Sequence, residues 1–313
     1  MNLYIVTTTI NPPTLATRRF AEIAEQRGYT MVVVGDLKTP HQAYFDLEQK
    51  YKSFTYLHPD VQTELYPELS KTIGWKSIQR RNIGFVYAYN KGADIVATVD
   101  DDNIPYDDWG TNILVGQEVE IDLYDHLESH SIFDPISVTE HSHLWHRGYP
   151  IELVPKKNNF EYLGRVRREV LVQADFWDGD PDIDAICRLS FKPIVKFNSF
   201  KPFGCFGIAP FNSQNTFIGR KALPKYSVLP HIGRMDDIWA SYILQHYFPQ
   251  SVIYSNASVY QARNEQDLVT NLENEVLGYR KTLDLVSDLE NYQTFLPEAT
   301  KEFWEVYQKH FTK

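Results

Sequence analysis

Cysteine is scarce in this chain: its 313 residues include two, Cys187 and Cys205. Two thiols are too few for a disulfide framework and suit a reducing compartment, so a cytoplasmic protein is expected. Long apolar runs are missing too. No stretch approaches the ~18 residues of a membrane span. The apolar start, residues 2–10, has neither the basic flank nor the cleavage site of a signal peptide and is better taken as a first strand. There is no basic excess: 31 Lys and Arg face 41 Asp and Glu, a net charge of −10 that argues against nucleic acid or an anionic membrane as partner. A Gly-x-Gly-x-x-Gly loop is absent after the first strand, where Thr7-Thr8-Thr9-Ile10-Asn11-Pro12 stands instead. That counts against a dinucleotide-binding oxidoreductase. Neither an internal repeat nor a low-complexity linker divides the chain, so one continuous catalytic domain is expected rather than two.

What is present begins with alternation. Over the first ~110 residues strand and helix signals take turns, which predicts βαβ units and a parallel sheet. Strands are expected at residues 3–6, 31–34 and 54–57, and helices at 14–27, 41–51 and 75–90. The apolar run Ile95-Val96-Ala97-Thr98-Val99 predicts a buried fourth strand. Beyond Trp109 the pattern loosens into short strands at 119–124, 194–198, 216–219 and 252–254, with one clear helix at 235–247. Near the end, Leu268, Leu272, Val276, Tyr279, Leu283 and Val286 mark one face of a long helix. It is expected to pack on the core, with a homodimer contact as the alternative. Aromatic residues make up 14% of the chain, a surplus that a sugar-stacking site could use.

The fourth strand delivers Asp100-Asp101-Asp102. In an extended backbone residues i and i+2 share a side, so Asp100 and Asp102 are expected to face one way and Asp101 the other. Two carboxylates held that close invite a divalent cation, and ligands of open α/β sheets bind off this strand end. Asp36, ending strand two, could accept hydrogen bonds from a ribose or base, or could simply serve a turn. Thr8 and Thr9 offer hydroxyls and backbone amides to a nucleotide. Lys76, Arg80, Arg81 and Asn82 are expected on the helix before the aspartate strand, where the cations could reach a diphosphate. Asp236-Asp237 opens the later helix, either as caps favoured by the helix dipole or as a general base for an acceptor hydroxyl. Three clusters carry less. His141, His143 and His146 lack the context of a zinc site. Asp178, Asp180, Asp182 and Asp184 lack the glycine and glutamate of a calcium loop. Residues 165–168 suit a solvated basic patch.

Taken in order, Ile10-Asn11-Pro12-Pro13-Thr14, Val32-Val33-Val34-Gly35-Asp36 with Lys38-Thr39-Pro40, Arg81-Asn82-Ile83-Gly84 and Asp100-Asp101-Asp102-Asn103-Ile104-Pro105-Tyr106 resemble the STELLO-type glycosyltransferases. Arg147-Gly148-Tyr149-Pro150, Asp182-Ile183-Asp184-Ala185, Asp236-Asp237-Ile238-Trp239 and Arg263-Asn264-Glu265 resemble the related reversibly glycosylated polypeptides, which are UDP-arabinopyranose mutases. The resemblance covers about residues 3–265. It implies a GT-A-like nucleotide-diphospho-sugar transferase fold: a central, mostly parallel sheet with flanking helices and a C-terminal helical extension. Residues 1–265 would form the catalytic domain, divided into a nucleotide-binding half (1–110) and an acceptor half (111–265), with 266–313 as the extension. Mn2+ or Mg2+ on Asp100 and Asp102 and a nucleotide-sugar donor, UDP-linked or similar, follow from the same likeness. Arg147 matches the arginine that becomes glycosylated in the polypeptide family. Asp237 matches the second acid of a pair opening the late helix, and Asp236 stands where that family has glutamate.

Three functions are consistent with these residues. The first is a metal-dependent glycosyltransferase in which Arg81 and Lys76 assist the leaving group and Asp237 deprotonates an acceptor of unspecified kind. The second is a sugar-nucleotide mutase working through a transient adduct near Arg147. The third is a non-catalytic subunit that only binds the sugar nucleotide.

Overall fold

The computed structural model describes residues 1–127, 132–263 and 267–312. Strand and helix alternate from the start as the apolar pattern requires. β1 (Leu3–Thr9) leads to α1 (Leu15–Arg27), β2 (Thr30–Gly35), α2 (His41–Lys50), β3 (Phe54–Leu57), α3 (Pro59–Leu65) and α4 (Pro67–Ile73). α5 (Arg81–Asn90) then feeds β4 (Ile95–Val99). The α1 helix begins where the Thr14 side chain accepts a hydrogen bond from the Thr17 amide, satisfying one of the donors a helix start leaves open. Every side chain of β1 and β4 is buried, as expected for strands covered on both faces.

The second half adds β5 (Asn103–Pro105), β6 (Glu118–His126), β7 (Phe160–Glu169), β8 (Val172–Gly179), α6 (Ala185–Phe191), β9 (Phe203–Cys205), β10 (Asn215–Gly219), α7 (Asp236–Tyr247) and β11 (Val252–Gln261). All strands described join one sheet in the order β3-β2-β1-β4-β10-β8-β11-β9-β6-β7, with β5 paired to β11. The central seven strands, β3 to β11, run parallel except for β10, which lies antiparallel between β4 and β8. Parallel strands place their carboxyl ends along one sheet edge, so β1, β2 and β4 deliver the residues that follow them to a common crevice. Helix α5 packs closely against β1 and β2 because Gly84 has no side chain; a Cβ there would lie 2.4 Å from Val6 Cγ1. That close seat sets the depth of Arg81, one turn earlier.

Two expectations need correction. The helix foreseen from residue 75 begins only at Ile78, with a single 3-10 turn to Arg80 before α5, so Lys76 lies on a loop with φ +60°. The strand foreseen at 194–198 is reduced to one bridge between Val195 and Gly179.

The C-terminal part contains α8 (Leu268–Ser287) and α9 (Glu298–Lys309). The buried face of α8 is Glu275, Gly278, Thr282, Leu285 and Val286, offset from the apolar stripe seen in the sequence. The reason is its neighbour: α8 lies against the 3-10 turn Gly233–Met235 and α6, where it needs a glycine and a buried carboxylate more than a row of leucines. Val276 of the expected stripe remains exposed. Among the described residues, no helix is long and apolar enough to cross a membrane.

Candidate active site

At the end of β4 the chain turns instead of continuing. The Asn103 amide donates to the Asp100 carbonyl at 3.3 Å, and the Ala262 amide to the Asp102 carbonyl at 3.0 Å, so the aspartate triplet is a turn between β4 and β5. The alternation argument assumed extended backbone, yet the turn still brings all three aspartates to the wall of one cavity of about 610 Å3. Asp101 behaves as a structural residue: its side chain accepts from the Thr9 hydroxyl and from Asn11 Nδ2 (3.0 Å). Asp100 accepts from Arg81 Nη2 at 2.5 Å. Burial raises the Asp100 pKa, with Arg81 acting against it. Burial also works against the charge of Arg81, but Asp100 outweighs it and keeps the guanidinium protonated. Asp102 is pushed up to about 7 by burial and by the charge of Asp100, with Arg263 in opposition.

Next to this cavity a cleft of about 390 Å3 is walled by Thr8, Thr9, Asp36, Lys38, Lys76 and Ile78, and the two share Thr8, Lys76, Ser77, Ile78 and Asp101. Thr8 donates its hydroxyl to the Val34 carbonyl at 2.8 Å. Asp36 is almost wholly buried, and its oxygens accept from the Leu37 amide (2.5 Å) and the Ser77 amide (3.0 Å). It braces the 76–78 loop and stays on the cleft wall, each carboxylate oxygen keeping a lone pair beyond its amide bond. Arg80 leaves the cationic cluster as well: it is buried against Gln62, Ser70 and the Gly74 carbonyl, with its guanidinium over the Trp75 ring. Asn82 lines neither cavity. It trades hydrogen bonds with the Val228 backbone (2.7 and 2.8 Å), which removes it from the expected donor contacts.

Deeper in the large cavity lies a buried ion cluster. Arg147 Nε donates to Asp182 at 2.9 and 3.1 Å. Its Nη1 meets the Arg234 carbonyl and Asp237 (2.9 Å), and its Nη2 meets Asp237 at 3.1 Å. Burial disfavours the Arg147 charge, but the two carboxylates hold its pKa well above the ordinary value. Asp237 also accepts from the Ser213 amide (2.8 Å) and hydroxyl (3.0 Å). Burial would raise Asp237, yet Arg147 overrides it and lowers the pKa. Its neighbour Asp236 is pushed the other way, up to about 7, by burial and the charge of Asp237. Asp236 accepts from Gln79 Nε2 at 2.7 Å.

The fit of a divalent cation turns on Asp102. Its Oδ1 is buried without a hydrogen-bond partner, a state that costs about 1–3 kcal/mol unless something fills it. Among the described residues, no group of three or more His, Cys, Asp or Glu side chains converges as a metal cage, and that includes the histidines 141, 143 and 146. Mg2+ and similar hard ions are commonly held by one or two carboxylates plus substrate phosphates, so Asp100 and Asp102 suit such an ion.

Several lining residues escaped the sequence reading: Ser77, Gln79, Ser213, Gln214, Arg234 and Asn274. Most sit in turns and loops, where no periodicity marks them, and Asn274 lies on the polar side of α8. Asp182 and Arg263 stood inside the quoted motifs without a role; Asn264 and Glu265 lie outside the described residues. 

The mostly parallel sheet flanked by helices bears out the α/β architecture expected from the alternating strand and helix signals. No family model matches the chain. Among curated proteins it is similar to "Probable glycosyltransferase STELLO2" of Arabidopsis thaliana, 24% identical over 268 residues, which are 80% of this chain and 33% of that protein. "Probable glycosyltransferase STELLO1" of the same plant is 24% identical over 255 residues, 76% of this chain and 32% of that one. The chain thus spans about a third of the length of these relatives. Among solved structures, glucosyl-3-phosphoglycerate synthase from Mycobacterium tuberculosis, in complex with Mn2+, UDP and phosphoglyceric acid, aligns with a TM-score of 0.48 at 9% identity, over 90% of this chain and 78% of that one. The mannosyltransferase PcManGT from Pyrobaculum calidifontis, in complex with GDP-Man and Mn2+, aligns with a TM-score of 0.46 at 10% identity, over 99% and 69%.

Proposed function

We propose that this chain is a divalent-metal-dependent glycosyltransferase that takes its sugar from a nucleoside diphosphate donor, UDP-linked or similar. The observation that carries this reading is the partnerless buried Oδ1 of Asp102 beside Asp100, on a cavity that opens into a nucleoside-sized cleft. The 76–78 loop and the Thr8–Thr9 strand end would hold the nucleoside. Lys76 would face the diphosphate, while Arg81, buried with its terminal nitrogens on Asp100 and Ser213, would act by orienting Asp100. Asp100 and Asp102 would hold Mn2+ or Mg2+, which when bound neutralises charge on the leaving diphosphate.

In the transfer, an acceptor oxygen bonds to the anomeric carbon as the bond to the diphosphate breaks, and the acceptor proton must go to a base. Asp236 is the better base of the acidic pair. Its pKa of about 7 suits proton uptake near neutrality, whereas Asp237 is saturated by Arg147 and Ser213. Asp237 and Arg147 then act as positioning residues. The mutase reading stands second because every Arg147 nitrogen is engaged and the group is held protonated, while adduct formation needs a free, neutral nitrogen.

The test is a panel of nucleotide sugars with Mn2+, read by melting temperature and by product. Release of nucleoside diphosphate with glycosylated or hydrolysed sugar supports transfer. Interconversion of UDP-arabinose ring forms without release supports the mutase. A donor-induced melting shift with no turnover marks a binding subunit.

A further inference from the structure

The large cavity has a wall that the donor does not need. Gly233, Arg234 and Asn274 form it, on the turn before α7 and the N-terminal half of α8. The Arg234 side chain is 26% exposed, and its Nε donates to Glu275 at 2.9 Å. Among the described residues its two terminal nitrogens make no hydrogen bond. Glu275 is fully buried, and its other oxygen accepts from the Ala185 amide and the Tyr279 hydroxyl, both at 2.7 Å. Glu275 therefore cannot swing away, and it grips Arg234 by one edge only. The guanidinium is pre-organised with the rest of its N–H donors unspent.

Two of the neighbouring carboxylates are already committed. Asp237 is taken by Arg147 and Ser213, and Asp182 by Arg147 and Asn212. A hydroxyl entering here would use one guanidinium donor and leave the others unspent. A carboxylate or phosphate, which only accepts, matches the wall better, and two of its oxygens fit a planar guanidinium.

We propose that Arg234, with Asn274 beside it, forms a subsite for an anionic group on the acceptor, a phosphate or a carboxylate, and that Glu275 is its positioning residue. The word acceptor rests on the transferase reading; the anion site itself does not. Helix α8 thereby becomes part of substrate selection.

The test separates the two claims. With the donor site filled by UDP and Mn2+ at constant ionic strength, the full chain is titrated calorimetrically with inorganic phosphate and, separately, with acetate. Saturable binding of either is expected, weakened about 10- to 100-fold in Arg234→Gln and less in Arg234→Lys, which keeps the charge opposite Glu275. Phosphate alone binding points to a phosphorylated acceptor, acetate alone to an acidic sugar or similar carboxylate. In Glu275→Gln, anion affinity falls while UDP affinity holds. No saturable binding to the native chain, or equal binding by Arg234→Gln, overturns the subsite. A turnover arm compares glucose, glucose 6-phosphate and glucuronate with a donor. Preference for an anionic sugar, lost in Arg234→Gln, supports the acceptor assignment, and equal use of glucose overturns it. If anions bind but no donor turns over, the transferase reading fails and the anion site stands.

Discussion

Asp236 and Asp237 are adjacent at the start of α7 and hold their protons in opposite ways. Burial raises both, but the Arg147 guanidinium overrides it at Asp237, while Asp236 is left with burial plus its neighbour's charge and rises to about 7. One acid stays ionised to hold an arginine, and the other titrates in the physiological range.

The first prediction follows from that division of labour. Asp236→Asn should lower kcat about 100- to 10,000-fold with UDP affinity nearly unchanged. As a base, Asp236 works when ionised, so native kcat/KM should rise roughly tenfold per pH unit up to about pH 7 and level off above it. Initial rates across pH decide the matter; an unchanged acidic limb in the Asn variant would exclude Asp236.

The metal site gives the second. Mn2+ plus UDP should raise the melting temperature of the native chain, because anything that binds only the folded state stabilises it. Asp102→Asn should abolish the Mn2+-dependent part of that shift and lower turnover about 100-fold or more. A full Mn2+ response in that variant counts against Asp102 as a ligand.

A third concerns stability away from the site. Burial pushes Asp175 up to about 7, against hydrogen bonds from Gln173 and Ser258. An acid with a raised folded pKa takes up a proton on folding, so it destabilises progressively as pH climbs from its ordinary value of 3.8 to about 7. Asp175→Asn cannot ionise. Its melting temperature relative to the native chain should increase over that range and stay flat above it; a constant difference in parallel melts would refute the shift.

The fourth tests the contact between α8 and the turn before α7. A Cβ on Gly278 would lie 2.4 Å from Met235 Cγ. Gly278→Ala gains about 1 kcal/mol in helix propensity and loses about 1–3 to overpacking, so stability should change little or fall modestly. Met235 sits between Arg234 and Asp236, so acceptor KM should rise more than donor KM. Equal effects on both substrates would place the strain elsewhere.

The strands of the nucleotide half were legible because buried parallel strands are written as apolar runs, and Ile95–Val99 is such a run. The aspartate triplet was legible for the same reason, since it ends that run, although the backbone carries it by a turn and not by extension. Asn82 looked like a ligand contact because its chemistry permits it. What decided otherwise was the backbone of Val228, 146 residues away. Arg234 and Asn274 were invisible, because nothing local tells that α8 folds back over the turn before α7. The offset of the α8 buried face has the same origin: tertiary packing chose Glu275 and Gly278 over the apolar stripe.

The Arg147 cluster also has a dynamic consequence. One guanidinium fastens residues 147, 182, 234 and 237 together, and Ser213 joins through Asp237. None of these segments can open without stranding a buried charge, which costs about 3–5 kcal/mol when a partner is lost. They should therefore open as one cooperative unit, with amide exchange in all of them slow and similar, while the 76–78 loop over the nucleoside cleft exchanges independently and faster. A pocket wall assembled from four separate chain segments would thus behave, on the exchange timescale, as a single rigid piece.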